Sequence, residues 1–162
     1  MKARHVLAIM LALSTALWAQ GQQPDCAETK TFWDQGCSTD TNCPPSDRNS
    51  CTRYSFTPAC TGNYDLDCWV VCTGINCFHC KSCVVIYDDV FELAHCTTDS
   101  CNISFDCNHT AGSVALTAGH PYTVYVCLMP CPNTGDCDHC TSANGCEAWG
   151  CLRLGRILPC WQ

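Results

Sequence analysis

The chain has 162 residues, 20 of them Cys, and its 8 basic and 15 acidic side chains leave a formal charge of −7. That balance disfavours nucleic acid and anionic membrane surfaces, both of which reward Lys and Arg clusters. The Cys content argues against a reducing compartment. The class expected is a small disulfide-rich, mainly β protein: two related cysteine-rich modules with short antiparallel hairpins, long loops and little helix.

Lys2 and Arg4 precede the apolar run VLAIMLALSTALW, followed by the small residues Ala19 and Gly21. This order predicts a secretory signal peptide over residues 1–21. The run is shorter than the roughly 20 residues a membrane span needs, and no later stretch is apolar enough to span. The mature chain is therefore expected to be secreted, extracellular and without a membrane span. Removing Lys2 and Arg4 leaves 6 basic residues against 15 acidic ones, a charge of −9. About one mature residue in seven is then Cys, well past the level that marks a disulfide scaffold. The even number permits ten closed bridges, whose pairing the spacing does not reveal.

Residues 22–42 are polar and turn-rich and predict a loop-rich lead-in, held by Cys26 and Cys37 and running into Cys43 and Pro44-Pro45. Its only large apolar residues, Phe32 and Trp33, either pack on the first module or stand out as a binding patch. That module, residues 43–95, has a β-prone piece at 52–57, Pro58, a turn at Gly62-Asn63, and then the dense run CWVVCTGINCFHCKSC from Cys68 to Cys83. Beyond it VVIYDDVFEL places two apolar runs around Asp88-Asp89. It predicts a hairpin, with a short helix over residues 88–94 as the competing reading.

The second module, residues 96–162, opens with a Cys-containing loop bearing two acceptor sequons, at Asn102 and Asn108, which predict an exposed, glycosylated segment. SVALTAGHPYTVYVC comes next, and its Gly and Pro between β-prone runs predict a second hairpin. The cluster from Cys127 to Cys146 and a tail pinned by Cys151 and Cys160 complete the chain. Eight Cys of each half match in order: Cys43, Cys51, Cys60, Cys68, Cys72, Cys77, Cys80 and Cys83 against Cys96, Cys101, Cys107, Cys127, Cys131, Cys137, Cys140 and Cys146. An internal repeat with its boundary near residues 92–96 would produce this pattern.

The motifs with chemical potential are few. Cys77/Cys80 and Cys137/Cys140, with His79 and His139 between them, have the C-x2-C spacing of a zinc site. An oxidising route removes the thiolates that such a site needs, so disulfides are expected and no metal or other cofactor. A redox C-x-x-C wants a helix start, and none is legible there. No G-x-S-x-G nucleophile motif occurs, and no catalytic residue is expected. The pairs Asp65/Asp67, Asp88/Asp89 and Asp136/Asp138 read as solvated turn carboxylates rather than calcium ligands.

In order, Cys60, Gly62, Tyr64, Cys77, Cys80, Cys83, Cys96 and Cys101 loosely resemble the cysteine-rich module of tumour-necrosis-factor receptor ectodomains. The resemblance covers about a quarter of the chain and rests mostly on Cys and Gly. Cys68 and Cys72 are extra, the second half departs after Cys140, and no family is identified by it. The function expected is non-enzymatic: binding of another extracellular protein or a glycan, in the manner of an effector, toxin or inhibitor. The candidate contact residues are Trp33, Tyr64, Trp69, Phe78, Tyr87 and Trp149. The alternative is a component of a secreted matrix, adhesive or coat cross-linked between chains.

Overall fold

A computed structural model of the chain describes residues 26–72, 80–98, 109–130 and 146–155. Residues 1–21, where a signal peptide is expected, Phe78, the sequons at Asn102 and Asn108, and Cys77, Cys137 and Cys140 lie outside these. Every regular element described is a strand: β1 Glu28–Asp34, β2 Thr52–Phe56, β3 Gly62–Cys72, β4 Cys80–Asp88, β5 Phe91–Thr97, β6 His109–Leu116, β7 Tyr122–Pro130 and β8 Cys146–Leu154. They form two four-stranded antiparallel sheets, ordered β1-β8-β3-β6 and β2-β7-β4-β5. All consecutive strands except β4 and β5 alternate between the sheets. That winding is the eight-stranded jelly roll.

Period-two patterning builds the main core. Phe32, Tyr64, Leu66, Ala148 and Leu152 of the first sheet meet Phe56, Val84, Ile86, Val124, Val126 and Leu128 of the second. A smaller second cluster, Cys83, Val85, Tyr87, Cys127 and Met129, sits on the opposite face of the second sheet, with Cys43, Cys51 and Tyr125 packed against it. This explains why CVVIY is apolar at every position: both faces of β4 are covered. The cover is the segment between β1 and β2. Its Ser38 N–H donates to Leu128 O at 2.7 Å, and its Thr41 carbonyl accepts from Lys81 Nζ. The Arg48 guanidinium lies 4.5 Å from the Tyr87 ring centroid and 5.4 Å from that of Tyr125. This strap covers β4 and β7 on the outer face of the second sheet.

Four disulfides have both ends among the described residues: Cys26–Cys60, Cys43–Cys83, Cys51–Cys127 and Cys68–Cys96. The second and third staple the strap, at its middle and at its C-terminal end, onto β4 and β7. The fourth crosses the main core from β3 to β5 and ties one sheet to the other. Cys37, Cys80 and Cys151 are also disulfide-bonded. Bridged, Cys80 has no thiolate to offer zinc.

The structure corrects two expectations. Part of the lead-in at 22–42 is a strand, β1. It lies at a sheet edge with Thr29, Lys30 and Thr31 exposed, so its composition reads as loop. The segment 113–127 is not a hairpin. Its halves belong to different sheets, β6 pairing with β3 while β7 pairs with β2 and β4. Val114 and Leu116 face Tyr122, Val124 and Val126 across the core, and this alternation is the same for an arch between sheets as for a hairpin. The 117–121 arch is held by Gly119 N–H donating to Pro58 O at 2.8 Å, with Gly119 at φ +76. The division near residues 92–96 falls inside β5, and strands from both sides of it alternate in both sheets. The hairpin at 84–93 does form, with Asp88 opposite Phe91. Asp89 turns it at φ 54, a left-handed conformation that Asp tolerates.

Candidate functional site

Since the strap covers the central strands of one outer face of the sandwich, the other face is the place to look for a site. On the outer face of the first sheet the strand register sets three tryptophans in one row: Trp33 of β1 opposite Trp149 of β8, and Trp149 opposite Trp69 of β3. The rings of Trp33 and Trp149 lie 6.3 Å apart at 28°, and those of Trp149 and Trp69 lie 6.0 Å apart at 13°. The row runs from an open end to a closed one. Trp33 is 45% exposed, Trp149 half-buried, and Trp69 8% exposed.

The backbone beneath Trp33 and Trp149 is held by what lies behind it. The Tyr54 hydroxyl, reaching from β2, donates to Trp33 O at 2.5 Å and accepts from Trp33 N–H at 3.3 Å. It thereby occupies the backbone groups that an edge strand leaves open. The next residue, Asp34, is buried and pins the end of β1 to the second sheet. Its carboxylate accepts from Thr52 Oγ1 at 2.6 Å, Gly36 N–H at 3.2 Å and Leu128 N–H at 3.2 Å. The Trp149 carbonyl accepts from buried Ser82 Oγ at 3.1 Å. The backbone that carries the exposed aromatic end is therefore tied to the second sheet.

Polar groups flank the row on both sides. Glu147 is on the same face of β8 as Trp149, two residues away. Its carboxylate accepts from Gln35 Nε2 at 2.6 Å and from Trp149 Nε1 at 3.0 Å. A carboxylate offers about four lone-pair directions and an amide both donors and an acceptor, so Glu147 and Gln35 keep valences open to a ligand. On the other side Arg153 Nη2 lies 3.5 Å from Asp65 Oδ2 and 3.4 Å from Asp67 Oδ2. Val71, partly exposed, completes the rim next to Glu147.

Of the six aromatic candidates, the structure brings Trp33, Trp69 and Trp149 together and separates Tyr64 and Tyr87 from them; Phe78 is outside the described residues. Tyr64 is fully buried in the main core, its hydroxyl donating to Glu28 Oε2 at 2.6 Å. Burial, then the Glu28 hydrogen bond, pushes that hydroxyl well above the ordinary tyrosine range. Tyr87 is buried under the strap, and burial raises its hydroxyl as well. Both are core residues, because they lie on strand faces that another layer covers. Gln35, Tyr54 and Glu147 were not legible as site residues; only strand register, set by pairing 112 residues apart in the case of Gln35 and Glu147, brings them to the row. No cluster of three or more His, Cys, Asp and Glu placed to hold a metal ion occurs among the described residues. Asp65 and Asp67 face an arginine instead.

No family model matches the chain, and no curated protein does. Among solved structures it is similar to a GH26-CBM35 β-(1,4)-mannanase of Podospora anserina, at 14% identity and a TM-score of 0.41. That likeness covers 84% of this chain and 29% of that one, so this chain spans under a third of the mannanase's length. It is also similar to the structure of tomato aspermy virus, at 10% identity and a TM-score of 0.39, over 96% of this chain and 97% of that one. The class defined by the strand order is a disulfide-stapled jelly roll with one strapped face and one open, tryptophan-bearing face.

Proposed function

We propose that this is a secreted, non-enzymatic binding protein that takes a carbohydrate on the outer face of its first sheet. The observation that carries the reading is the row Trp33–Trp149–Trp69, open at Trp33 and flanked by Glu147 and Gln35. A sugar ring has a C–H face and a rim of hydroxyls. The C–H groups, slightly positive, suit the negative face of an indole. The hydroxyls need donors and acceptors with free valences, which Glu147 and Gln35 supply. Protein hot spots favour Trp and Arg but deplete Glu, which makes a protein partner the poorer match to this rim. Rigid anchoring of Trp33 by Tyr54 and Asp34 lowers the ordering entropy lost on binding. The four bridges close within the chain, which supports a discrete binder over a matrix protein cross-linked between chains.

The test is binding of the secreted protein to soluble mannan, β-glucan and chitin oligosaccharides by calorimetry, with Trp33→Ala as the paired variant. At least one polymer should bind and quench tryptophan fluorescence, and Trp33→Ala should weaken it at least ten-fold with an unchanged melting transition. The sugars should come back uncleaved. Binding that is the same without Trp33, or no binding to any glycan on a broad array, overturns the proposal.

A further inference from the structure

Resting on that carbohydrate reading, we infer that the site selects uncharged glycans and rejects anionic ones, with Glu147 as the residue that sets the choice. Among the described residues, the charged groups on this face are Glu147 on β8, Asp65 and Asp67 on β3, and a single cation, Arg153. Arg153 is shared between the two aspartates, at 3.5 and 3.4 Å. No described arginine or lysine is therefore left beside the row to receive a sulfate or carboxylate in the bidentate way that such groups are bound. Lys30, the nearest basic residue on β1, has the alternation of Phe32 and not of Trp33, so it belongs to the other side of the strand.

Glu147 supplies the positive half of the selection too. With Gln35 and Trp149 Nε1 both donating to it, the carboxylate is fixed in orientation beside the half-buried indole. Its remaining lone pairs accept from a donor, and sugar hydroxyls and acetamido N–H groups are donors. A sulfate or uronate oxygen at that place has no proton to give and adds a like charge, a repulsion that disfavours the wrong ligand more than it favours the right one. The chain's overall charge of −7 adds to that bias at long range.

The experiment uses matched pairs: each soluble mannan or β-glucan that binds, and the same polymer after sulfation, titrated into the wild type, Glu147→Gln and Trp33→Ala at low and high salt. The wild type should bind the sulfated form at least ten-fold more weakly at low salt. The gap should shrink at high salt, where surface charges are screened. Glu147→Gln should weaken binding of the neutral polymer through the acceptor it loses and still narrow the ratio of the two at least three-fold. Sulfated polymer bound as tightly as neutral by the wild type, or a ratio that Glu147→Gln leaves unchanged, overturns the inference. If binding is still lost in Trp33→Ala, the carbohydrate reading survives that result. If neither form shows any dependence on Trp33, both fall.

Discussion

Gly150 sits in β8 between Trp149 and Cys151 and faces inward onto Val84 of β4. A Cβ at this position would stand 2.7 and 2.9 Å from the two Val84 methyls and 3.3 Å from its Cβ. Ordinary contact begins near 3.4 Å, so the closest approach is roughly 0.7 Å too short. Turning Val84 about its first side-chain torsion gives no escape, because both methyls and the Cβ itself are already close and Val84 is fully buried. Relief requires β8 to move away from β4. Gly150→Ala should therefore destabilise the protein by about 2–3 kcal/mol, in the upper part of the usual range for overpacking. Val84→Ala alone should cost about 2 kcal/mol through lost methyl burial. In the double variant both opposing methyls are gone, so its loss should fall short of the sum by at least ~1 kcal/mol. Guanidinium unfolding of the oxidised protein, followed by tryptophan fluorescence, measures all three. A Gly150→Ala cost under about 0.5 kcal/mol, or strict additivity with Val84→Ala, would refute the claim that the sheets meet closely at this point.

Replacing both Cys51 and Cys127 with Ala opens a loop of sequence separation 76 and should cost about 4 kcal/mol if the chain-entropy account holds; the denaturant midpoint of the oxidised variant checks it. Tyr54→Phe removes the hydroxyl that both donates to and accepts from Trp33. It should cost about 1 kcal/mol of stability, speed hydrogen exchange at the Trp33 amide and weaken glycan binding. At acid pH the strap should loosen first. Hydrogen bonds from the Ser46 hydroxyl and from the Asn42 and Ser46 amides hold the Asp40 carboxyl down to about 2, below its ordinary 3.8. The unfolded chain takes up that proton at higher pH than the folded one, so the contribution is complete above about pH 4 and lost as pH falls toward 2. Exchange protection at the Ser46 amide should follow that window, and Asp40→Asn should abolish the dependence.

Much of the fold could be read from alternation alone, but little of the site could. The run Val84–Ile86 with Asp88-Asp89 after it marked a strand and its turn correctly, because a doubly covered strand is continuously apolar and its turn carries Asp. β1 escaped notice because an edge strand with one solvated face carries Thr and Lys where a central strand carries Val. Its alternation was visible only in the adjacent Phe32 and Trp33, one facing in and one out. The arch at 117–121 has the Gly and Pro of a hairpin turn, since both connections reverse the chain. What separates them is which strand each half pairs with, and that is decided far along the chain. The same holds for the tryptophan row. Trp69 and Trp149 are ordinary aromatic positions until the β3–β8 register places them opposite each other. Tyr64 and Tyr87 look equally available in composition, and only the second layer over each strand face buries them.

The placement of β8 bears on how the binding face comes into being. β8 is the last described strand in chain order, yet it lies between β1 and β3 in the first sheet, and it carries Trp149, the middle ring of the row. A chain synthesised N-terminus first delivers Trp33 and Trp69 long before the residue that joins them. Until β8 arrives, β1 and β3 each lack the neighbour between them, and the tryptophan row does not exist in part. It is assembled in one closing step. A molecule cut short before residue 146 would thus lack the row altogether, and it would leave two open strand edges for quality control to find.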